Sequence, residues 1–185
     1  FSSKHNHLEF LFSNNFRVIY NDPRRFGFFA LDMVSKLDIN KFLRKLGPEP
    51  LGRNLKKNYL ISKMKLTQRT IKTLLMDQSF ISGIGNIYAD EALWLAKTHW
   101  ANICEDLNEK KIKEILLSAK EVMAKALEKG GTSFDDLYID VNGESGYFEN
   151  ELNAYGREGE RCYRCDLEMV REAFSNNRSS TICPN

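Results

Sequence analysis

The stretch Phe80-Ile81-Ser82-Gly83-Ile84-Gly85-Asn86-Ile87-Tyr88-Ala89-Asp90-Glu91 organises the chain: a turn bearing two glycines that runs straight into an amphipathic helix. Gly83 and Gly85 can take backbone angles closed to other residues, which lets the chain double back and bring its amides close to a ligand. Asn86 then opens the helix. A helix N-terminus presents unpaired N–H groups and the positive end of a dipole, so this turn is a candidate phosphate seat. The same pattern also makes a plain helix–helix connection, and most glycine turns between helices bind nothing.

Helical signals flank the turn on both sides. Thr67 is a suitable N-cap for a helix carrying Ile71, Leu74 and Leu75 and ending near Asp77. The helix from Asn86 places Ile87, Leu93, Leu95 and Ala96 among its apolar positions and ends around Lys97. Asn108 caps the longest helix, with Ile112, Ile115, Leu116, Ala119, Val122, Met123, Ala126 and Leu127 at three- and four-residue steps, and Gly130-Gly131 ends it. Upstream, Leu8, Phe10 and Phe12 alternate with other residues, Ser13-Asn14-Asn15 offers a turn, and Phe16, Val18 and Tyr20 alternate again. That is a β-hairpin pattern, and residues 26–31 read as a further strand. Asp38 can cap a short helix that Gly47-Pro48-Glu49-Pro50 stops, and a second short helix is expected within residues 51–65. The polar, turn-rich stretch from Thr132 to Gly146 reads as a long loop of the kind that often serves as a functional lid.

The 185 residues are 42% hydrophobic, enough to bury a core in one full domain or two small ones. No apolar run approaches the ~20 residues that span a bilayer, and no secretory leader pattern is present, so a soluble, cytoplasmic protein is expected. The chain begins at Phe1 in what reads as mid-domain strand, and a preceding segment is therefore expected. A formal net charge of +2 does not by itself suggest nucleic acid. Its distribution is more informative. Residues 41–72 hold ten Lys or Arg against the single acid Glu49, a local balance of +9, whereas residues 104–151 hold twelve acids against six bases, or −6. Such a basic stripe is either a solvated face or an anion-binding one.

Three of the four cysteines lie near the C-terminus. Cys162-Tyr163-Arg164-Cys165 is a C-x2-C knuckle, and Cys183 follows in Thr181-Ile182-Cys183-Pro184-Asn185. Two knuckles at the ends of a hairpin make a tetrahedral thiolate zinc site, and a short segment that cannot build its own core benefits from one. A second C-x2-C would place its fourth ligand at the position after Asn185, so three ligands are expected within these residues. A redox C-x-x-C is the competing reading, and it lacks the βαβ context such a pair needs. Cys104 reads as a small buried apolar residue.

Taken in order, Asp22-Pro23-Arg24-Arg25-Phe26-Gly27, Leu46-Gly47-Pro48-Glu49-Pro50, Ile71-Lys72, Gly83-Ile84-Gly85-Asn86-Ile87-Tyr88-Ala89, Gly130-Gly131-Thr132, Tyr155-Gly156-Arg157 and the terminal cysteines resemble bacterial formamidopyrimidine-DNA glycosylase. The resemblance runs over essentially the whole chain. It implies an α+β fold: the end of a β-sandwich domain (residues 1–34), a linker with short helices (35–65), a helix-two-turns-helix DNA-binding domain (66–150) with a lesion-capping loop at 132–148, and a β-hairpin zinc finger (151–185). It also implies a monomeric base-excision repair enzyme acting on double-stranded damaged DNA. Such an enzyme excises oxidised purines such as 8-oxoguanine and cleaves the strand by β,δ-elimination. The family's chemistry starts at an N-terminal proline amine assisted by a glutamate and a lysine, none of which this chain contains. It therefore resembles the C-terminal two-thirds of such an enzyme, expected to be inactive alone.

Position by position, the resemblance makes Arg24 and Phe26 the wedge that fills the gap left by a flipped nucleotide. Replacing lost pairing and stacking by a guanidinium and an aromatic ring is physically apt, since extruding a base costs a few kcal/mol. His5 aligns with a DNA-contacting histidine, Lys72 and Asn86 with phosphate-contacting residues, and Glu91 with a glutamate on the same helix. Arg178 matches the hairpin-tip arginine that binds phosphate and takes part in δ-elimination, while Cys162, Cys165 and Cys183 match ligands of one structural zinc ion. Asp166 departs from the family pattern, standing where a glycine is usual, and the segment from Cys165 to Arg178 is one residue longer. Two other readings compete: a non-enzymatic DNA-binding module, and an endonuclease VIII-like enzyme for oxidised pyrimidines, against which the wedge and loop patterns weigh.

Overall fold

Alternating apolar residues on either side of Ser13-Asn14-Asn15 form two antiparallel strands, β1 (Asn6–Leu11) and β2 (Arg17–Asn21), with Leu8 opposite Tyr20 and Phe10 opposite Val18. The computed structural model describes residues 4–29, 43–53, 55–132, 146–175 and 177–185. It divides into two compact units, residues 1–40 and 41–185, each taken by itself below.

In the first unit the turn is closed by Asn15 in the left-handed region at φ 64°, with the Asn15 amide donating to the Phe12 carbonyl at 3.0 Å. Asparagine tolerates that conformation better than most residues. Residues 26–29 do not form the expected strand. Instead the Asp22 carboxylate gathers the chain, accepting the amides of Arg25 at 2.8 Å and Gly27 at 2.7 Å. A side-chain acceptor that captures local amides competes directly with a strand ladder. Phe29 packs edge-on against Tyr20, ring centroids 4.7 Å apart. Residues 30–31 of the expected strand, the Asp38 cap and residues 39–42 lie outside the described residues, and Leu43–Lys45 is one turn of 3-10 helix.

The second unit contains α1 (Lys57–Met64), α2 (Ile71–Leu75), α3 (Asn86–Leu95), α4 (Glu109–Glu128) and a hairpin of β3 (Val170–Ser175) and β4 (Arg178–Ile182). Its core joins Leu60 and Met64 of α1, Ile71 and Leu75 of α2, Ala89 and Ala92 of α3, and Ile112 and Ile115 of α4. Asn108 caps α4 as its sequence indicates, its side chain accepting from the Lys111 amide at 2.8 Å. Two expectations need correction. The N-cap of α2 is Thr70, not Thr67, whose hydroxyl instead accepts the Arg69 amide at 3.3 Å. Leu127, placed on the apolar face by its spacing, is 72% exposed, because the core ends at Ala126.

Beyond α4 the chain is sealed at a narrow base. The Gly131 amide donates to the Ala126 carbonyl, and the amides of Tyr147 and Phe148 donate to the carbonyls of Lys129 and Gly131 at 3.0 and 3.1 Å. A Cβ on Gly146 would stand 2.2 Å from the Gly131 oxygen, so only glycine permits this approach. Residues 133–145, the centre of the expected lid, lie outside the described residues.

Candidate nucleic-acid interface

The turn that carries Gly83 and Gly85 is stapled from within. Gln78 donates through Nε2 to the Ile84 carbonyl at 2.9 Å and accepts the Gly83 amide on Oε1 at 2.8 Å. The Leu46-Gly47-Pro48-Glu49-Pro50 segment backs this turn, the Gly47 amide donating to the Gln78 carbonyl and the Ser82 amide to the Pro48 carbonyl. Of the two glycines, only Gly83 takes an angle that favours glycine, φ 88°. Gly85 is the N-cap of α3 at φ −101°, and a Cβ there would meet nothing within 4 Å. Gly85 thus leaves open space at the first turn of α3, whose N-cap makes no side-chain hydrogen bond. The first amides of the helix keep their capacity to donate.

Three elements converge at one backbone carbonyl, that of Ser179 in β4. Lys72 of α2 donates to it at 3.1 Å and Asn86 of α3 at 3.2 Å. Lys72 is fully buried, its ammonium 2.7 Å from Asp90 Oδ1 and 4.7 Å from the centroid of the Phe174 ring. Asp90 in turn accepts the Ser180 hydroxyl at 2.5 Å and the Thr181 amide at 3.2 Å. Burial pulls the Lys72 ammonium down and pushes the Asp90 carboxyl up, each shift opposed by the attraction within the pair. The sequence places Lys72 among surface cations of a basic stripe; the structure places it beneath the hairpin, holding the residue next to Arg178. Arg178 itself is exposed, pairs with Ser175 across the hairpin tip, and follows Asn177 at φ 61°. The ladder shifts between Ala173 and Ser175, and Phe174 packs edge-on against Trp100, ring centroids 5.4 Å apart.

Glu91 is buried but does not face this surface. Its carboxylate accepts the amides of Asn153, Ala154 and Tyr155 at 2.8–2.9 Å and so fastens the start of the cysteine region to α3. Asp90 and Glu91 are thus structural anchors; the sequence singles out Glu91 only through the family resemblance and does not single out Asp90. Two adjacent acids inside the apolar run Ile87-Tyr88-Ala89-Asp90-Glu91-Ala92-Leu93 were the available signal, since carboxylates are almost never buried unpaired.

The three cysteine sulfurs of Cys162, Cys165 and Cys183 lie within 4.8 Å of one another, the last two 3.3 Å apart. Four thiolates around zinc at ~2.3 Å stand about 3.8 Å apart, so this spacing fits a metal site. Burial opposes the Cys162 thiolate, but the Arg164 and Cys165 amides, Cys183 and the Trp94 indole outweigh it and bring the thiol down to about 6. That suits a ligand that must shed its proton. Asp166 adopts φ 61° and donates its amide to the Cys162 carbonyl at 2.9 Å, which closes the knuckle turn. Cys104 is fully buried, and desolvation lifts its thiol to about 11, as expected of an inert core residue.

In the first unit Asp22 organises the segment that carries Arg24 and Phe26. Its carboxylate accepts the Arg24, Arg25 and Gly27 amides and the Tyr20 hydroxyl, the last at 2.8 Å. Arg24 is exposed and Phe26 is 84% exposed. The carbonyl of His5 accepts the Asp22 amide at 3.0 Å, which ties the histidine segment to the same loop.

Two helices joined by a double turn, with an open helix N-terminus beside a cysteine-bearing hairpin, define a helix-two-turns-helix protein. The description "Formamidopyrimidine-DNA glycosylase H2TH domain" matches residues 46–136. Formamidopyrimidine-DNA glycosylase of Mycobacterium avium (strain 104) is 43% identical over 185 residues, covering 98% of this chain and 65% of the relative. That of Mycobacterium sp. (strain KMS) is 45% identical, covering 98% and 62%. Among solved structures, MutM (Fpg) of Thermus thermophilus superposes with a TM-score of 0.87 at 32% identity, covering 99% of this chain and 68% of that one. A Lactococcus lactis Fpg variant in complex with Fapy-dG containing DNA gives 0.88 at 33%, covering 99% and 66%. The chain belongs to the formamidopyrimidine-DNA glycosylase family, and it spans 62–65% of the length of these two curated relatives. No helix among the described residues is long and apolar enough to cross a membrane.

Proposed function

We propose that this chain is the DNA-gripping part of a base-excision DNA glycosylase and AP lyase. The enzyme removes oxidised purines, 8-oxoguanine and formamidopyrimidines, from duplex DNA and cleaves the strand by β,δ-elimination, acting as a monomer. The convergence of Lys72, Asn86 and the residue beside Arg178 on one carbonyl carries this reading. Beside that junction an open helix N-terminus and an exposed arginine offer N–H donors to consecutive phosphates, and such contacts set register without reading sequence. Arg24 and Phe26, exposed on a loop preorganised by Asp22, are suited to fill a vacated stack. His5 adds a further DNA contact. Lys72 acts from below, by fixing the strand that carries Arg178. Cys162, Cys165 and Cys183, with one further ligand, would hold a zinc ion, which would close the hairpin without taking part in bond breaking.

The chemistry itself requires an amine nucleophile that the family resemblance does not assign to any residue of this chain, so the 185 residues should bind and not cut. Fluorescence anisotropy on a duplex bearing a tetrahydrofuran abasic analogue tests the first half. Binding should weaken with salt with a slope on the order of −3 for three phosphate contacts, and Arg178→Ala should lower affinity about tenfold and reduce that slope by about 1. Absence of binding at low salt would remove the nucleic-acid reading. Borohydride trapping on 8-oxoguanine duplex tests the second half: no covalent adduct is expected, and a robust one would show that the nucleophile lies within these residues.

A further inference from the structure

The indole N–H of Trp94 is sealed from solvent and has no hydrogen-bond partner of ordinary geometry among the described residues. A buried donor left unmade costs about 1–3 kcal/mol, so such a group calls for an acceptor. Trp94 packs into the small cluster formed by Ala154, Cys162 and Met169 with Cys165 and Cys183. Cys162 is one of the buried residues against which the ring packs, so its sulfur is a candidate acceptor in reach of that cluster. The ring is held in place by the knuckle itself. The Arg164 guanidinium lies 3.9 Å above the ring centroid and donates to the Trp94 carbonyl.

We infer that Trp94 is an outer-shell donor of the metal site, its Nε1–H hydrogen-bonding to the Cys162 thiolate. A neutral thiol is a weak acceptor, whereas a metal-bound thiolate carries excess negative charge that N–H donors disperse. The bond therefore strengthens when the site is filled. Trp94 lies near the C-terminal end of α3, about 12 Å along the axis from Asn86 at its start. The helix that opens toward the hairpin tip is thus fastened at its far end to the metal pocket. The inference rests on the reading of the three cysteines as metal ligands.

Replacing zinc by 113Cd gives a direct test on the unaltered protein. A scalar coupling between 113Cd and the Trp94 Nε1 proton is expected, transmitted through the sulfur; a Trp94 indole signal uncoupled and unshifted by metal would overturn the inference. Trp94→Phe keeps the ring and removes the donor. Its zinc affinity, measured by competition with a chromophoric chelator, should fall about tenfold. The thiolate-to-metal charge-transfer band of its cobalt form should move to longer wavelength, since an undispersed thiolate is easier to oxidise. Affinity and band both equal to wild type would sink the proposal. Wild-type protein that retains no zinc, cadmium or cobalt would sink it as well, through failure of the metal reading itself rather than of Trp94.

Discussion

The two hairpins of this chain are alike in length and unlike in what holds them. The β3–β4 hairpin is fastened to α2 and α3 by buried charge, with Asp90 and Lys72 bonded to successive residues of β4. The β1–β2 hairpin has no such anchor among the described residues, and Leu11, Phe16 and Val18 stay more than half exposed on it. A two-stranded hairpin is marginal in water on its own. One hairpin thus depends on a few desolvated groups whose removal is severe, whereas the other spreads its contacts over ring packing and one half-buried carboxylate.

The largest effect should come from Lys72→Ala, which strands Asp90 in the interior without its counter-charge. A loss of about 3–5 kcal/mol is expected in urea unfolding, and the added change Asp90→Asn should recover part of it. A midpoint equal to wild type would erase the contrast between the hairpins. Glu91→Ala removes the acceptor for three backbone amides of residues 153–155. It should destabilise by about 2–3 kcal/mol and speed amide exchange there before it reaches α4. On the other hairpin, Val18→Thr should shift stability by no more than about 0.5 kcal/mol, since the side chain is 53% exposed. Asp22→Ala should act locally, raising the exchange rates of the Arg25 and Gly27 amides while leaving the unfolding midpoint of the second unit in place.

Acid probes a third, gentler kind of support, a partly exposed carboxylate in the turn after α2. The Ser79 hydroxyl, followed by Arg69, holds the Asp77 carboxyl down at about 2. A depressed folded pKa contributes stability above the unfolded value near 4 that is lost as pH falls through about 2. With Arg69 exposed and Asp77 only half-buried, solvent screening should keep the amount under about 1 kcal/mol. A carboxyl carbon titration by NMR should find Asp77 still ionised at pH 3; a midpoint near 4 would show the turn contacts to be idle.

What could be read from the sequence was what depends on near neighbours. The Asn108 cap, the Gly130-Gly131 stop, the hairpin turn at Ser13-Asn14-Asn15 and the C-x2-C knuckle each concern residues a few positions apart. Phe26 and Phe28 alternate as a strand would, yet Asp22 captures the Gly27 amide, and that competition is invisible to periodicity. Lys72 is the sharper case. In a stripe with a local balance of +9 a lysine reads as a surface cation, solvated or anion-binding. Its partner lies eighteen positions on, where Asp90 interrupts an apolar run. Neither residue identifies the other until α2 and α3 are folded together, and the acceptor at Ser179 is a main-chain carbonyl that no side-chain pattern encodes.

The narrow neck at Gly131 and Gly146 has its own implication. Because the amides of Tyr147 and Phe148 lock that base, a change in the number of the fourteen residues between the two glycines should be tolerated. Doubling their number should cost only about 0.6 kcal/mol of closure entropy. A change of length between the two glycines should therefore leave the helical frame beneath it in place.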